Sequence, residues 1–550
     1  MGPNTRTSMG MLFVVAVLLF AVPRAQAQQA GQRAAATENT LATRAAISVM
    51  QAGGNAVDAA IAAVLVGGVA SPTSSGIGGG GFAMVWLAGK KRATVIDFRE
   101  VAPAAVDVSA FEHRPFSDAE RGKYVGVPGE VAGLWMLHER FGKAPWKDLV
   151  APAIRHATQG FPVGRFLGGS LIANKKRLVI DPGIASVFYP GGKPAAVGQL
   201  VRRPALGATL QRIAAEGPKA LYQGSIAAEL AQTAKSAGGA LTTRDLAAYK
   251  PVERTPIHVE WEGYDVYTMP PPSAGGLMLA ETLRLFSKAE LVRLGRQSGA
   301  YQHVLAEAMR GAISDRMRFL GDPAKQPADV GALISPARMA KRKARIAVDR
   351  THTLPRFDLD EHGTHHLVTA DGAGNVVSLT TTVNRTFGAK LSAKSVGVVL
   401  NDQLDDFTAQ ADVAPFGLAQ SPNRPRPGAK PVSSMTPTVV VRDGKAVLAL
   451  GGSGGTTIAT NVTQLVLTSL AFGLTPAQAV AAPRFYVPNS RATLLLEKGA
   501  SEALEKDLRW RGEIVAPMPF TSSAVQIVSL DGARRAAAAD PRKLGEASVK

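Results

Sequence analysis

The 550-residue chain contains no cysteine, which excludes a disulfide framework, thiolate zinc sites and a cysteine nucleophile. A chain this long can bury enough apolar surface without covalent staples, so an oxidising compartment stays open to it. Aromatic residues are scarce at 6%, and acids are outnumbered, 43 Asp and Glu against 62 Lys and Arg, for a formal net charge of +19. A basic excess favours anionic surfaces. The few aromatics do not alternate with the basic residues, however, so no stacking platform for nucleic acid is expected. The densest basic run, Lys341-Arg342-Lys343-Ala344-Arg345, reads as the solvated face of a helix that follows Pro336.

Long apolar runs are also missing. Only 9–22 comes near the roughly 18 uninterrupted apolar residues that a spanning helix needs, so no stable membrane span is expected in the mature protein. With Arg6 before it and Ala25-Gln26-Ala27 after it, that stretch reads as a secretory signal over 1–27. The expected product is secreted, most simply into a periplasm.

Length alone suggests several domains, yet no linker divides the chain. Alanine-rich helices are expected over 41–50 and 55–66, and strands over 82–86 and 93–98. An amphipathic helix is expected over 303–320, where Val304, Ala308, Met309, Ile313 and Met317 fall at helical spacing. After residue 364 the pattern turns to strands, over 376–383, 396–400, 438–441 and 446–450, with a helix over 456–471. The proline-rich stretch 421–428 reads as a loop between two motifs, placed to cover a site. Helices and strands mixed in this way fit one α+β unit of layered αββα architecture, two sheets sharing an interior.

Two glycine runs invite other readings. Gly76-Ile77-Gly78-Gly79-Gly80-Gly81 satisfies G-x-G-x-x-G, but a strand follows it and not the helix that dinucleotide binding requires; it reads as a closely packed turn. Gly451-Gly452-Ser453-Gly454-Gly455 satisfies G-x-S-x-G between a strand and a helix. A serine triad would need a later histidine, and none occurs after His366. Glycine amides at a helix start can instead donate to a developing oxyanion. His362, His365 and His366 do not make a metal site, because on a strand His365 faces away from the other two.

The run His362-Gly363-Thr364-His365-His366-Leu367 holds the most informative residue. A threonine hydroxyl is a poor nucleophile until the peptide bond before it is cut, when the freed α-amine becomes a built-in base. That amine has an unperturbed pKa of roughly 7.7–8, suited to proton transfer near neutrality.

Thr364 is followed by Asn384-Arg385-Thr386-Phe387-Gly388, Asn401-Asp402-Gln403-Leu404-Asp405-Asp406-Phe407, Lys430-Pro431-Val432-Ser433-Ser434-Met435-Thr436-Pro437 and the second glycine run. Before it come Gly53-Gly54-Asn55-Ala56-Val57-Asp58, Asp97-Phe98-Arg99-Glu100, Val127-Pro128-Gly129-Glu130, Pro270-Pro271-Pro272-Ser273-Ala274-Gly275-Gly276 and Gly321-Asp322-Pro323. Taken in order, these resemble the γ-glutamyltransferases, which are N-terminal-nucleophile hydrolases of four-layer αββα fold.

The resemblance implies self-cleavage between Gly363 and Thr364, giving a large subunit 28–363 and a small subunit 364–550 that stay together as a heterodimer. It makes Thr364 the nucleophile, Thr382 a hydrogen-bonding partner to it, and Gly454 and Gly455 the oxyanion donors. Arg99 with Ser433 and Ser434 would hold a substrate α-carboxylate, and Asn384, Gln403 and Asp406 its α-ammonium. The implied substrates are glutathione and other γ-glutamyl compounds, the acceptors are water, amino acids or peptides, and no metal or organic cofactor is needed. The alternatives are a cephalosporin or glutaryl-amide acylase of the same fold, or an unprocessed periplasmic γ-glutamyl-binding protein. Three positions depart from the pattern: His365 where a small residue is usual, Val368 where serine is usual, and Phe416 near the place of a lid tyrosine. Bulk at His365 is expected to slow self-cleavage or reshape the acceptor side.

Overall fold

The computed structural model describes residues 28–29, 33–352, 363–488, 493–518, 523–531 and 535–550. The signal-like segment 1–27 and His362 lie outside these residues. Two seven-stranded antiparallel sheets carry the fold. The first runs, edge to edge, Glu546–Val549, Ala34–Thr37, His365–Ala370, Val376–Thr382, Gly80–Leu87, Arg92–Asp97 and Val252–Arg254. The second runs Gln28–Gln29, Ala536–Ala539, Ala524–Ser529, Lys445–Ser453, Thr438–Arg442, Tyr264–Thr268 and Ile257–Trp261. Each sheet therefore takes strands from both sides of Gly363.

Strand periodicity of two sorts the side chains between layers. Phe82, Met84 and Trp86 join the core between the sheets, together with Val368 and Ala370. Ala83, Val85, Leu367, Val377 and Leu379 belong to a second core, with the helices Thr40–Gln51 and Ala56–Ala70. The helices Gly275–Leu285, Gly299–Phe319 and Thr457–Leu470 cover the other sheet. The result is the expected αββα stack. Asn55 starts the Ala56–Ala70 helix with a capping box, accepting from Asp58 N while Asp58 accepts from Asn55 N.

The first glycine run is a packing device, as expected. A strand, Gly80–Leu87, follows it, and a Cβ at Gly79 or Gly81 would stand 1.9 or 2.1 Å from the carbonyl oxygens of Thr382 or Thr380. No larger residue fits between backbones that close. Two expectations need correction. The strand foreseen over 396–400 is only Val398–Val399, because the chain turns through Gly397 at φ +69° and Asn401 is drawn off to Gly78. The basic run on the helix Pro336–Lys343 is not uniformly solvated either. Arg342 reaches inward to Glu281 and Asp315 and is only 14% exposed at its side chain. No helix among the described residues is long and apolar enough to cross a membrane.

Candidate active site

Thr364 immediately precedes the strand His365–Ala370 and is 3% exposed. Its backbone is strained. Its φ is +122°, a region in which a β-branched residue is an outlier and which costs on the order of 1–3 kcal/mol. Gly363 precedes it at φ +84°, where a Cβ would stand 1.7 Å from the carbonyl oxygen of Asn384. The Gly363 carbonyl accepts a hydrogen bond from Gly454 N at 3.4 Å. Gly454 and Gly455, at φ +115° and +62°, form the turn between the strand Lys445–Ser453 and the helix Thr457–Leu470. A Cβ on Gly454 would collide with Ser523 at 2.6 Å. The Gly454 amide and the bond before Thr364 therefore already face each other.

A lysine unforeseen from the sequence holds the other side of Thr364. Lys543 Nζ donates to the Thr364 carbonyl at 3.1 Å, to Ser453 Oγ at 2.6 Å and to Glu38 Oε2 at 3.1 Å. Glu38 Oε1 in turn accepts from His366 N at 3.0 Å. The ion pair is 3% and 4% exposed at its side chains. Ser453, the central residue of the G-x-S-x-G pattern, thus serves as an acceptor for lysine.

The adjacent histidines part to opposite faces. His366 Nδ1 meets Thr380 Oγ1 at 2.8 Å between the sheets, and burial drives its pKa well below the ordinary imidazole range. The His365 ring lies on the outer face, where a Cβ on Gly67 would stand 3.2 Å from it, and its pKa is also lowered, chiefly by burial. Its bulk is therefore turned away from the intersheet space. Val368 is fully buried in the core, where a serine hydroxyl would need a partner.

Continuing the register that pairs His365 with Thr381 puts Thr382 across from Thr364. Thr382 Oγ1 accepts from Asn384 N at 2.8 Å, and Asn384 Nδ2 donates to the Asp402 carbonyl at 3.1 Å. Gln403 follows, and its Nε2 donates to Asp406 Oδ2 at 2.6 Å. Arg99 Nη2 meets the same Asp406 oxygen at 2.6 Å, the two side chains being 1% and 4% exposed. Arg99 is held from behind, its Nε donating to the Pro431 carbonyl at 3.2 Å and its Nη2 also reaching the Val432 carbonyl at 3.4 Å. Gln403 Oε1 has no hydrogen-bond partner among the described residues.

The two serines divide. Ser433 Oγ accepts from Met435 N at 3.1 Å within its own turn, whereas Ser434 Oγ accepts from Arg316 Nη1 at 2.6 Å. The proline-rich loop lies beside the cluster as expected, with Asn423 bonding the Asp406 carbonyl at 2.8 Å and Val432 N at 2.8 Å. A cavity of about 660 Å³ opens here, lined among others by Arg316, Arg385, Asp402, Asp405 and Asp406. Burial raises Asp402 to about 6, partly offset by Lys390. Phe416 is buried in the core, with the Arg318 guanidinium 5.5 Å from its ring centre.

Behind Arg99 stand two buried carboxyls that the sequence motifs contained without assigning. Burial pushes Glu100 up to about 8 against the pull of Arg99, and Glu130 up to about 7 against a hydrogen bond from Thr381. Both Glu100 oxygens lack hydrogen-bond partners among the described residues.

The model of the family described as gamma-glutamyltranspeptidase matches residues 42–550. The chain belongs to the γ-glutamyltranspeptidase family. It is 35% identical to glutathione hydrolase 2 of Arabidopsis thaliana, over 98% of each chain, and 34% identical to the glutathione hydrolase proenzyme of Escherichia coli K12, over 94% of this chain and 92% of that one. Among solved structures, the γ-glutamyltranspeptidase of Helicobacter pylori is 32% identical with a TM-score of 0.55, over 57% of this chain and 91% of that one. The cephalosporin acylase of Bacillus halodurans superposes with a TM-score of 0.85 over 100% and 99% of the two chains. At 24% identity that likeness speaks for the N-terminal-nucleophile fold alone.

Proposed function

We propose that this γ-glutamyltranspeptidase-family chain is a γ-glutamyltransferase and glutathione hydrolase that matures by cutting its own Gly363–Thr364 bond. The Thr364 hydroxyl attacks the Gly363 carbonyl carbon, the peptide C–N bond breaks, and the Thr364 nitrogen leaves as a free amine. Water then hydrolyses the ester and releases the Gly363 carboxylate. The observation that carries this reading is the Gly454 amide on the Gly363 carbonyl at 3.4 Å, beside a threonine held at φ +122°. The donor lies where charge would develop. Cleavage removes the very atom that defines the strained torsion, so the strain is relieved as the bond breaks.

In the mature enzyme the amine takes the Thr364 hydroxyl proton as the oxygen attacks the γ-carbonyl of glutathione. Gly454 and Gly455 hold the oxyanion, the amide nitrogen leaves with the proton, and a γ-glutamyl ester remains. Water releases glutamate; an amino-acid or peptide amine gives transpeptidation. Arg99 and Asp406, in contact with each other, match the carboxylate and ammonium that share one α-carbon, and Gln403 Oε1 offers the ammonium a further acceptor. Relatives named as glutathione hydrolases support the substrate. We assign secretion to the protein from its signal-like segment 1–27, with fragments 28–363 and 364–550 held together through their shared sheets.

Thr364→Ala should abolish both cleavage and hydrolysis of a γ-glutamyl anilide; retained hydrolysis would overturn the assignment. The acylase reading predicts that a glutaryl anilide outruns the γ-glutamyl one. The Arg99–Asp406 pair favours the opposite order, because a glutaryl group lacks the ammonium. A non-catalytic binding protein would show glutathione binding by calorimetry with no turnover.

A further inference from the structure

The short strands Phe161–Pro162 and Leu200–Val201 pair antiparallel and close an excursion of the chain whose Phe166 ring lies 5.4 Å from Lys543 Nζ. Its inner side is ordinary core: Leu167, Leu171, Leu178, Ile184 and Phe188 are buried. Its outer side is not an ordinary surface. Of the thirteen large apolar side chains exposed among the described residues, five lie here: Ile172 at 69%, Val197 at 58%, Leu200 at 54%, Ile180 at 51% and Val179 at 38%. Val197 packs beside the helix Arg165–Ala173, its Cγ2 2.8 Å from where a Cβ on Gly168 would stand, one turn before Ile172.

The charge is as one-sided as the hydropathy. From 161 to 203 the chain has seven basic residues and a single acid, Asp181. Asp181 is buried, capping the helix Pro182–Phe188. Arg165, Lys175, Lys176, Lys193 and Arg202 are exposed. Arg203 is buried, and Arg177 forms an exposed pair with Asp118 at 3.2 Å. Isolated exposed apolar residues are commonplace, but several on one segment without an acid among them mark an interaction surface.

We propose that this excursion docks the protein on an anionic phospholipid surface, the lysines and arginines facing the headgroups while Ile172, Ile180, Val197 and Leu200 enter the interface. Exposed cationic and aliphatic side chains together on one segment are what partitioning onto such a leaflet requires. A zwitterionic membrane lacks the matching charge, and an acidic soluble protein would not call for so many separate aliphatic side chains. The inference does not depend on the reaction assigned above.

The test is co-sedimentation of the full chain with phosphatidylcholine vesicles, with and without a third of phosphatidylglycerol. Each basic residue near an anionic leaflet is worth roughly fivefold in partitioning, so Lys175→Gln/Lys176→Gln should lower binding about twentyfold. Ile172→Ser/Ile180→Ser should lower it about tenfold. All four residues are exposed, so both variants should keep the parent's thermal unfolding and anilide hydrolysis. Any contribution of residues 1–27 is common to parent and variants. Equal binding to both vesicle types, no binding to either, or binding that survives either double substitution would overturn the proposal.

Discussion

Two buried ion pairs organise the two ends of the site, and their hydrogen bonds are disposed differently. Around Lys543 every donor is used by the protein itself: the Thr364 carbonyl, Ser453 Oγ and Glu38. Around Arg99 and Asp406 the closure is incomplete, because Gln403 Oε1 still lacks a partner among the described residues and a cavity of about 660 Å³ borders Asp406. Similar burial thus accompanies different work. A fully satisfied pair fixes geometry, and one beside an unpartnered amide oxygen and a cavity is suited to recognition.

The largest expected effect breaks the recognition end. Arg99→Met removes one partner of a buried charge pair, a loss of about 2–5 kcal/mol, and should lower kcat/KM for γ-glutamyl anilide about a thousandfold. Gel analysis should still find full self-cleavage. If cleavage fails as well, the two ends are not separate.

Next comes the anchoring end. Lys543→Met should slow self-cleavage about a hundredfold and leave Glu38 buried without its partner, destabilising the fold by about 3–5 kcal/mol. Lys543→Met/Glu38→Gln should recover most of that stability in denaturant unfolding without recovering the cleavage rate. Recovery of both would make the pair merely structural.

The ease of reading these ends from sequence also differed. Thr364, Arg99, Gln403, Asp406 and the glycine turn each lie in a short motif of the family resemblance, so sequence order was enough to single them out, and the structure brings Arg99, Gln403 and Asp406 together and sets Gly454 on Gly363. Lys543 and Glu38 are 505 positions apart, and neither belongs to a motif; only the pairing of Ala34–Thr37 with Glu546–Val549 and His365–Ala370 brings them together. Arg316 was hidden in a helix chosen for its apolar spacing, and Arg342 was read as solvated because periodicity reports a helix, not which charged residue reaches a buried carboxylate. The layered fold was legible because strand alternation and helix spacing are repeated signals. The short strand at Val398–Val399 was not, since its length is set by a turn at Gly397.

A smaller effect concerns pH. Glu100, raised from 4.5 to about 8 mainly by burial, keeps its proton in the folded state where the unfolded chain has lost it. Its contribution to stability is therefore complete below about pH 4.5 and is lost as pH rises through about 8. Glu100→Gln should flatten the fall in stability between pH 5 and 8.5, an effect of a few kcal/mol at about 1.36 kcal/mol per pKa unit. Some slope should remain from Glu130, raised to about 7. Unchanged pH profiles in thermal unfolding would contradict this.

The smallest expected effect is at His365. Its ring packs on Gly67 outside the intersheet space, so His365→Thr should cost about 1–2 kcal/mol of stability through lost packing and leave the cleavage half-time within about threefold. A large acceleration would restore the expectation that its bulk obstructs processing.

The central claim is that Thr364 becomes an N-terminus by the protein's own chemistry. Denaturing electrophoresis with N-terminal sequencing and intact mass of the purified protein tests it most directly. The predicted result is two fragments, the smaller beginning Thr364-His365-His366 and ending at Lys550, with Thr364→Ala remaining a single chain. A single full-length band from the unmodified sequence, or a small fragment beginning at any other residue, would contradict it.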